Sequence, residues 1–133
     1  MNARNGSRAA RMRVAGGTTA GGVVAGLHCW IDGHDAHVQA AVWLLLAHEV
    51  WPRRGDFLRA CVNRSPDGEW WIDFPAARTA YEHGEFDAAS STELAVLDLA
   101  IALGTDRFRF RAMGPGNARA IATAVAHAVG ADR

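Results

Sequence analysis

The stretch Asp35–Trp51, DAHVQAAVWLLLAHEVW, constrains the chain most. It is the longest helical candidate, and Ala40–Ala47 holds one uninterrupted apolar run. Plotted at 100° per residue, Val38, Val42, Leu45 and Glu49 fall on one side, with Ala41 and Leu46 flanking them. Trp43, Leu44 and Val50 lie well away from that stripe. A helix with hydrophobes on most sides is either central to its domain or half buried by a partner chain, and the central reading is the commoner. Asp32 or His34 can cap its start. Pro52 closes it, and Arg53–Arg54 suit the negative end of its dipole.

Such a helix needs a body to cover it. At 133 residues, with 50% hydrophobic and 21% charged residues, the chain fits one globular domain without disulfides or metals as staples. The formal net charge is zero, so the whole molecule has no bulk attraction to nucleic acid or an anionic membrane. Placement matters more than the total. Every basic residue is arginine, and Arg4, Arg8, Arg11 and Arg13 all precede the first acidic residue, Asp32. Ten arginines then face 14 acidic residues in the remainder. Residues 1–22 therefore read as a disordered basic arm and 23–133 as a single domain. The arm imitates a signal peptide, but its apolar part is diluted by Gly and Thr and reads as an unstructured lead-in. No apolar run approaches the roughly 20 residues that span a bilayer. Two cysteines, Cys29 and Cys61, in no CxxC pair point to a reduced, cytoplasmic setting and to small core residues.

Around the central helix the expected elements are short. Val23–Ile31 suits a short helix or an extended piece. Residues 56–64, DFLRACVNR, admit two readings. Asp56 can cap a short helix, or the segment can be a strand joined by the turn SPDG to a strand at Glu69–Phe74, with Gly68 at positive φ. Pairing Ser65 with Glu69 sets Val62 opposite Ile72, whereas a one-residue slip loses the apolar match. In the later strand Trp70, Ile72 and Phe74 share one face; Glu69, Trp71 and Asp73 share the other. Pro75–His83 reads as a helix stopped by Gly84. Ser90–Glu93 forms a capping box for a helix ending at Gly104. RFRFR at 107–111 alternates as a strand with Phe108 and Phe110 inward, and Asn117 can cap a last helix closed by Gly130. Strands 69–74 and 107–111 would pair beneath helices. The expected fold is α+β and mostly helical, with four to six helices and a two- or three-stranded antiparallel sheet.

Motifs for chemistry are sparse. HCWIDGHDAH groups metal-ligand residue types, and His34 and His37 share a helical face if the helix starts early enough. His48 lies about 16 Å further along the axis, too far to join them. HExxH, GxSxG, GxGxxG and the P-loop are absent, and Gly114-Pro115-Gly116 before a helix is only a weak anion-site candidate, its proline removing one amide donor of a phosphate cradle. Arg107, Arg109, Arg111 and Arg119 form a stripe that would suit phosphates, or else a charged sheet edge or pairs with Glu69 and Asp73; the latter reading is the commoner. Trp71, between two carboxylates, and Trp43, off the apolar stripe, are candidate anchors for a partner.

WIDFPAA, SSTELAVLDLAIALG and NARAIATAVAHAVG resemble segments of short uncharacterised proteins from actinobacteria and their mobile elements. The resemblance covers the C-terminal half through patterning and implies neither an activity nor site residues. The residues themselves point to a non-catalytic accessory domain that binds protein, including a second copy of itself, without a cofactor. The alternatives are a nucleic-acid-binding protein using the arm and the Arg107–Arg111 strand, and a metal-dependent enzyme at His34 and His37.

Overall fold

The computed structural model describes residues 12–13 and 20–133. In chain order these form β1 (Met12–Arg13), α1 (Ala20–Ile31), α2 (Ala36–His48), α3 (Gly55–Cys61), β2 (Val62–Arg64), β3 (Trp70–Ile72), α4 (Phe74–Glu82), α5 (Ser91–Gly104) and α6 (Gly114–Ala128). Short 3-10 turns lie at Trp51–Arg53 and Phe110–Ala112. The fold is thus a mostly helical α+β one, with a small antiparallel sheet in the order β1-β2-β3.

The central helix is central. Val38, Ala41, Val42 and Leu45 of α2 are buried, as their spacing requires. They face Leu97, Ala100, Ile101 and Ala102 of α5, and the two helices make the largest helix–helix contact. Hydrogen bonds pin the pair at both ends. The His37 Nδ1–H donates to the Leu103 carbonyl (3.0 Å) beside the α2 N-terminus. Beyond its C-terminus the Trp51 indole donates to the Glu93 carbonyl (3.2 Å). Contacts at opposite ends make the helices antiparallel. Asp35, rather than Asp32 or His34, is the residue preceding the helix, and its side chain makes no cap bond. Glu49 ends α2 at φ 62°, its N–H bonding the Leu45 carbonyl, and this left-handed residue turns the chain into Trp51–Arg53.

An aromatic corner follows. Trp51, Phe57 and Phe86 are each at most 1% exposed, with ring centroids 5.5–6.1 Å apart. Arg54 roofs it, its guanidinium 5.0 Å from the Trp51 ring and bonded twice to Asp56, at 3.0 and 2.6 Å. Burial pushes the Asp56 carboxyl up. The Arg54 hydrogen bond, the Phe57 N–H and the charges of Arg54 and Arg59 together outweigh it and hold the group below its ordinary value. The Asp56 hydrogen bond in turn raises Arg54 against the opposing effect of burial. Ser90 and Glu93 close the expected capping box on α5 (3.1 and 2.9 Å).

Residues 56–64 resolve as both candidates in sequence: α3 runs to Cys61, and Val62 begins β2 without a loop. The hairpin takes the register argued from burial, with Val62 opposite Ile72 and Ser65 N–H bonded to the Glu69 carbonyl (2.8 Å). Gly68 holds φ 91° at the turn. Helix α1, the helical alternative for 23–31, begins at Ala20 and lies on β3. At Gly26 a Cβ would sit 2.0 Å from the Trp70 ring, so only glycine permits that approach.

Three expectations fail at the C-terminal end, and one about cysteine. Arg107–Arg111 is not a strand: Asp106 (φ 55°) and Arg109 (φ 53°) are left-handed and bend the chain into a turn and a 3-10 helix. A strand needs a partner edge and a covered face, and here Phe108 and Phe110 stack on each other (5.6 Å) while remaining 42% and 36% exposed. The strand at 70–72 accordingly pairs with β2. Asn117 does not cap α6, which starts at Gly114; its side chain donates to the Met113 carbonyl (2.8 Å) inside the first turn. Cys61 is buried, but Cys29 is exposed. Of the arm expected at 1–22, residues 1–11 and 14–19 lie outside the described residues, while Met12 and Arg13 pair with Arg64 and Asn63.

Candidate interaction surfaces

The hairpin, α1 and the α4 start border a cleft of about 340 Å³. Strand alternation directs Glu69, Trp71 and Asp73 away from the face occupied by buried Trp70 and Ile72, so a tryptophan stands between two carboxylates. Trp30 and His34 form another wall, their rings edge to face at 5.2 Å, and Phe74, Pro75 and Gly104 complete it. Gly104 is small for a reason, since a Cβ there would meet the Phe74 ring at 2.4 Å. Asp73 also caps α4, accepting from the Ala76 N–H at 2.9 Å. Trp71 is therefore half-buried within a built hollow.

Trp43 stands on the opposite kind of ground. It is 55% exposed and borders a shallow depression with His28, Cys29, Asp32 and Gln39. The two tryptophans do not form one surface: Trp71 belongs to the sheet cleft and Trp43 to the outer side of α2.

The metal candidates each engage a neighbour through one ring nitrogen. His34 Nδ1 accepts the Asp35 N–H (3.0 Å), and the His37 Nδ1–H donates to the Leu103 carbonyl (3.0 Å). The His37 Nε2 lies 3.9 Å from Asp35. Among the described residues no three His, Cys, Asp or Glu side chains converge as a metal-holding group.

The arginine stripe is dispersed by the loss of its strand. Arg107, Arg109 and Arg111 are all exposed around the turn and Arg119 stands on α6, while Arg111 pairs with Asp35 at 2.8 Å. A row of cations at two-residue spacing therefore does not form.

Sequence reasoning missed the uncovered apolar surface of α6. None of its residues is buried, and its nearest packed neighbour is the 3-10 turn at Phe110–Ala112. Yet Ala118, Ile121, Ala122, Val125 and Val129 recur at three- and four-residue spacing, an amphipathic stripe opposite Arg119, Thr123 and His127. Val125 is 50% and Val129 72% exposed. The stripe is visible in the sequence; that none of the described residues covers it is not. No helix among the described residues is long and apolar enough to cross a membrane, so a bilayer-spanning role does not account for it. Neither a protein-family model, a curated protein nor a solved structure matches the chain.

Proposed function

We propose that the protein is a non-catalytic binding domain whose C-terminal helix associates with a second copy of itself. The observation carrying this reading is a helix of 15 residues with an apolar stripe and not one buried side chain. Exposed apolar stripes of this kind mark association surfaces.

The stripe is self-complementary. In an antiparallel pair related by a two-fold axis, Val129 meets Ala118 and Val125 meets Ala122. Each larger side chain is set against a methyl group, so the backbones can approach closely. Helix α6 spans about 22 Å, too little to supply the roughly 1,200–2,000 Å² that a stable complex buries. The exposed Phe108–Phe110 pair, beside the α6 N-terminus, extends the patch. A reversible dimer is the expected product.

Sedimentation equilibrium of the wild type should show a concentration-dependent mass rising from monomer toward dimer. Val125→Asp places two carboxylates in the seam and should leave a monomer with unchanged circular dichroism. A wild type that stays monomeric at high micromolar concentration overturns the reading.

A further inference from the structure

The C-terminal unit is set apart by charge as well as by exposure. Residues 20–106 hold 13 acidic residues and five arginines, whereas residues 107–133 hold five arginines and one acidic residue, Asp132. An acidic body thus carries a basic appendage, a division that the neutral total conceals. A polyanion is repelled by such a body and drawn in where the sign reverses.

Ion pairing sharpens the contrast. Arg53, Arg54 and Arg78 of the body each lie against a carboxylate, at 3.7, 2.6 and 2.8 Å. Arg111 meets Asp35 at 2.8 Å, which ties the 3-10 turn to the residue before α2. Arg107, Arg109 and Arg119 are exposed and have no such partner among the described residues. Arg109 is held at φ 53°, a conformation that costs an arginine more than a glycine, and residues of this kind gather at functional sites.

The surroundings of these cations suit a phosphate chain. Helix α6 contains no acidic residue, and its side opposite the apolar stripe presents Arg119, Thr123 and His127 one turn apart, all able to donate hydrogen bonds. Phe108 stands between Arg107 and Arg109 in the chain, 42% exposed and tilted against Phe110. Aromatic rings among cations receive bases while the cations receive phosphates. A bilayer fits less well, because a membrane that buried the apolar stripe would leave Arg119 pointing away from its headgroups.

We propose that the turn at 107–111 and the polar side of α6 bind single-stranded nucleic acid, with Arg107, Arg109 and Arg119 on phosphates and Phe108 against a base. The contact lies on the side of α6 turned away from the stripe, so it does not require self-association.

Fluorescence anisotropy of a fluorescein-labelled oligothymidylate reads the contact directly. The wild type should bind it, and affinity should fall about 20-fold between about 50 and 200 mM salt, as three phosphate contacts on a single strand require. Arg107→Gln, Arg109→Gly and Arg119→Gln should each weaken binding several-fold at low salt and flatten the salt dependence. Glycine adopts the left-handed conformation at 109 readily, so a loss there is not one of folding. Phe108→Ala should weaken binding by a similar factor. Arg53→Gln, on the body, should leave it unchanged. Arg4→Gln, Arg8→Gln and Arg11→Gln combined remove as much charge as the three C-terminal changes combined and should cost less. The far-ultraviolet circular dichroism spectrum checks the fold of each variant. No binding, indifference to the three C-terminal arginine changes, or an equal or larger loss from the Arg4, Arg8 and Arg11 variant overturns the proposal. So does tighter binding to phosphatidylserine vesicles, or displacement by polyglutamate at equal charge, because the partner would then be a bilayer or an acidic protein. Sedimentation of the same samples reads self-association separately: a monomer that binds the oligonucleotide supports this proposal and overturns the dimer.

Discussion

Helices α5 and α6 are close in length and opposite in fate. Both are lightly charged and three to four turns long, α5 carrying four leucines and α6 six alanines. Helix α5 is capped by Ser90 and Glu93, buries four residues and is bonded to α2 and Trp51 at its two ends. Helix α6 has no side-chain cap bond, buries nothing and follows a turn containing two left-handed non-glycine residues. Apolar content alone therefore does not decide whether a helix joins the core. What separates them is a facing surface: α2 presents Val38, Ala41, Val42 and Leu45 to α5, while the described residues supply no comparable stripe for α6. One helix is part of the fold, and the other is something the fold displays.

That contrast can be broken by mutation. Ile101→Ala on α5 should cost about 2–5 kcal/mol in urea denaturation, whereas Val125→Ala on α6, measured dilute enough to keep the protein monomeric, should stay within about 0.5 kcal/mol. Comparable losses at both positions would mean that α6 is packed after all. Ser90→Ala should cost about 0.5–2 kcal/mol, because it removes one half of the capping box and leaves the Glu93 amide without its acceptor. The smallest effect is one of pH. The Asp56 carboxyl is depressed in the folded state, so its contribution to stability is complete above the unfolded value and is lost as pH falls through the folded one. Asp56→Asn should consequently flatten the acid limb of stability against pH and change little near neutrality in its slope. An unaltered acid limb would show that the Arg54–Asp56 pair does not couple to folding.

Much of the body was legible because burial leaves a period in the sequence. The α2 stripe, the α5 capping box and the hairpin register each rest on a constraint that one segment supplies or that two adjacent segments share. Slipping the hairpin by one residue would expose Ile72, so its register could be read without knowing the rest. At 56–64 neither reading could win, because α3 and β2 adjoin with no punctuating Gly or Pro between Cys61 and Val62. RFRFR failed for a different reason. Alternation implies a strand only where a second strand and a covering layer exist, and both are properties of distant residues. The Trp71 cleft was half visible: alternation put Trp71 between Glu69 and Asp73, but Trp30, His34 and Gly104 reach it only through the packing of α1 and α5. Cys29 shows the reverse case, an apolar-looking residue on the outer side of α1.

The pairing of Met12–Arg13 with Asn63–Arg64 has a consequence for the order of assembly. On a ribosome these residues emerge well before the strand that receives them, which is synthesised only after α1, α2 and α3. Contacts that distant in sequence form slowly, since a long loop must close before any of them is rewarded. The hairpin, by contrast, can zip locally as soon as Ile72 is available. Of the three strands β1 is thus the first to be synthesised and the last to be seated.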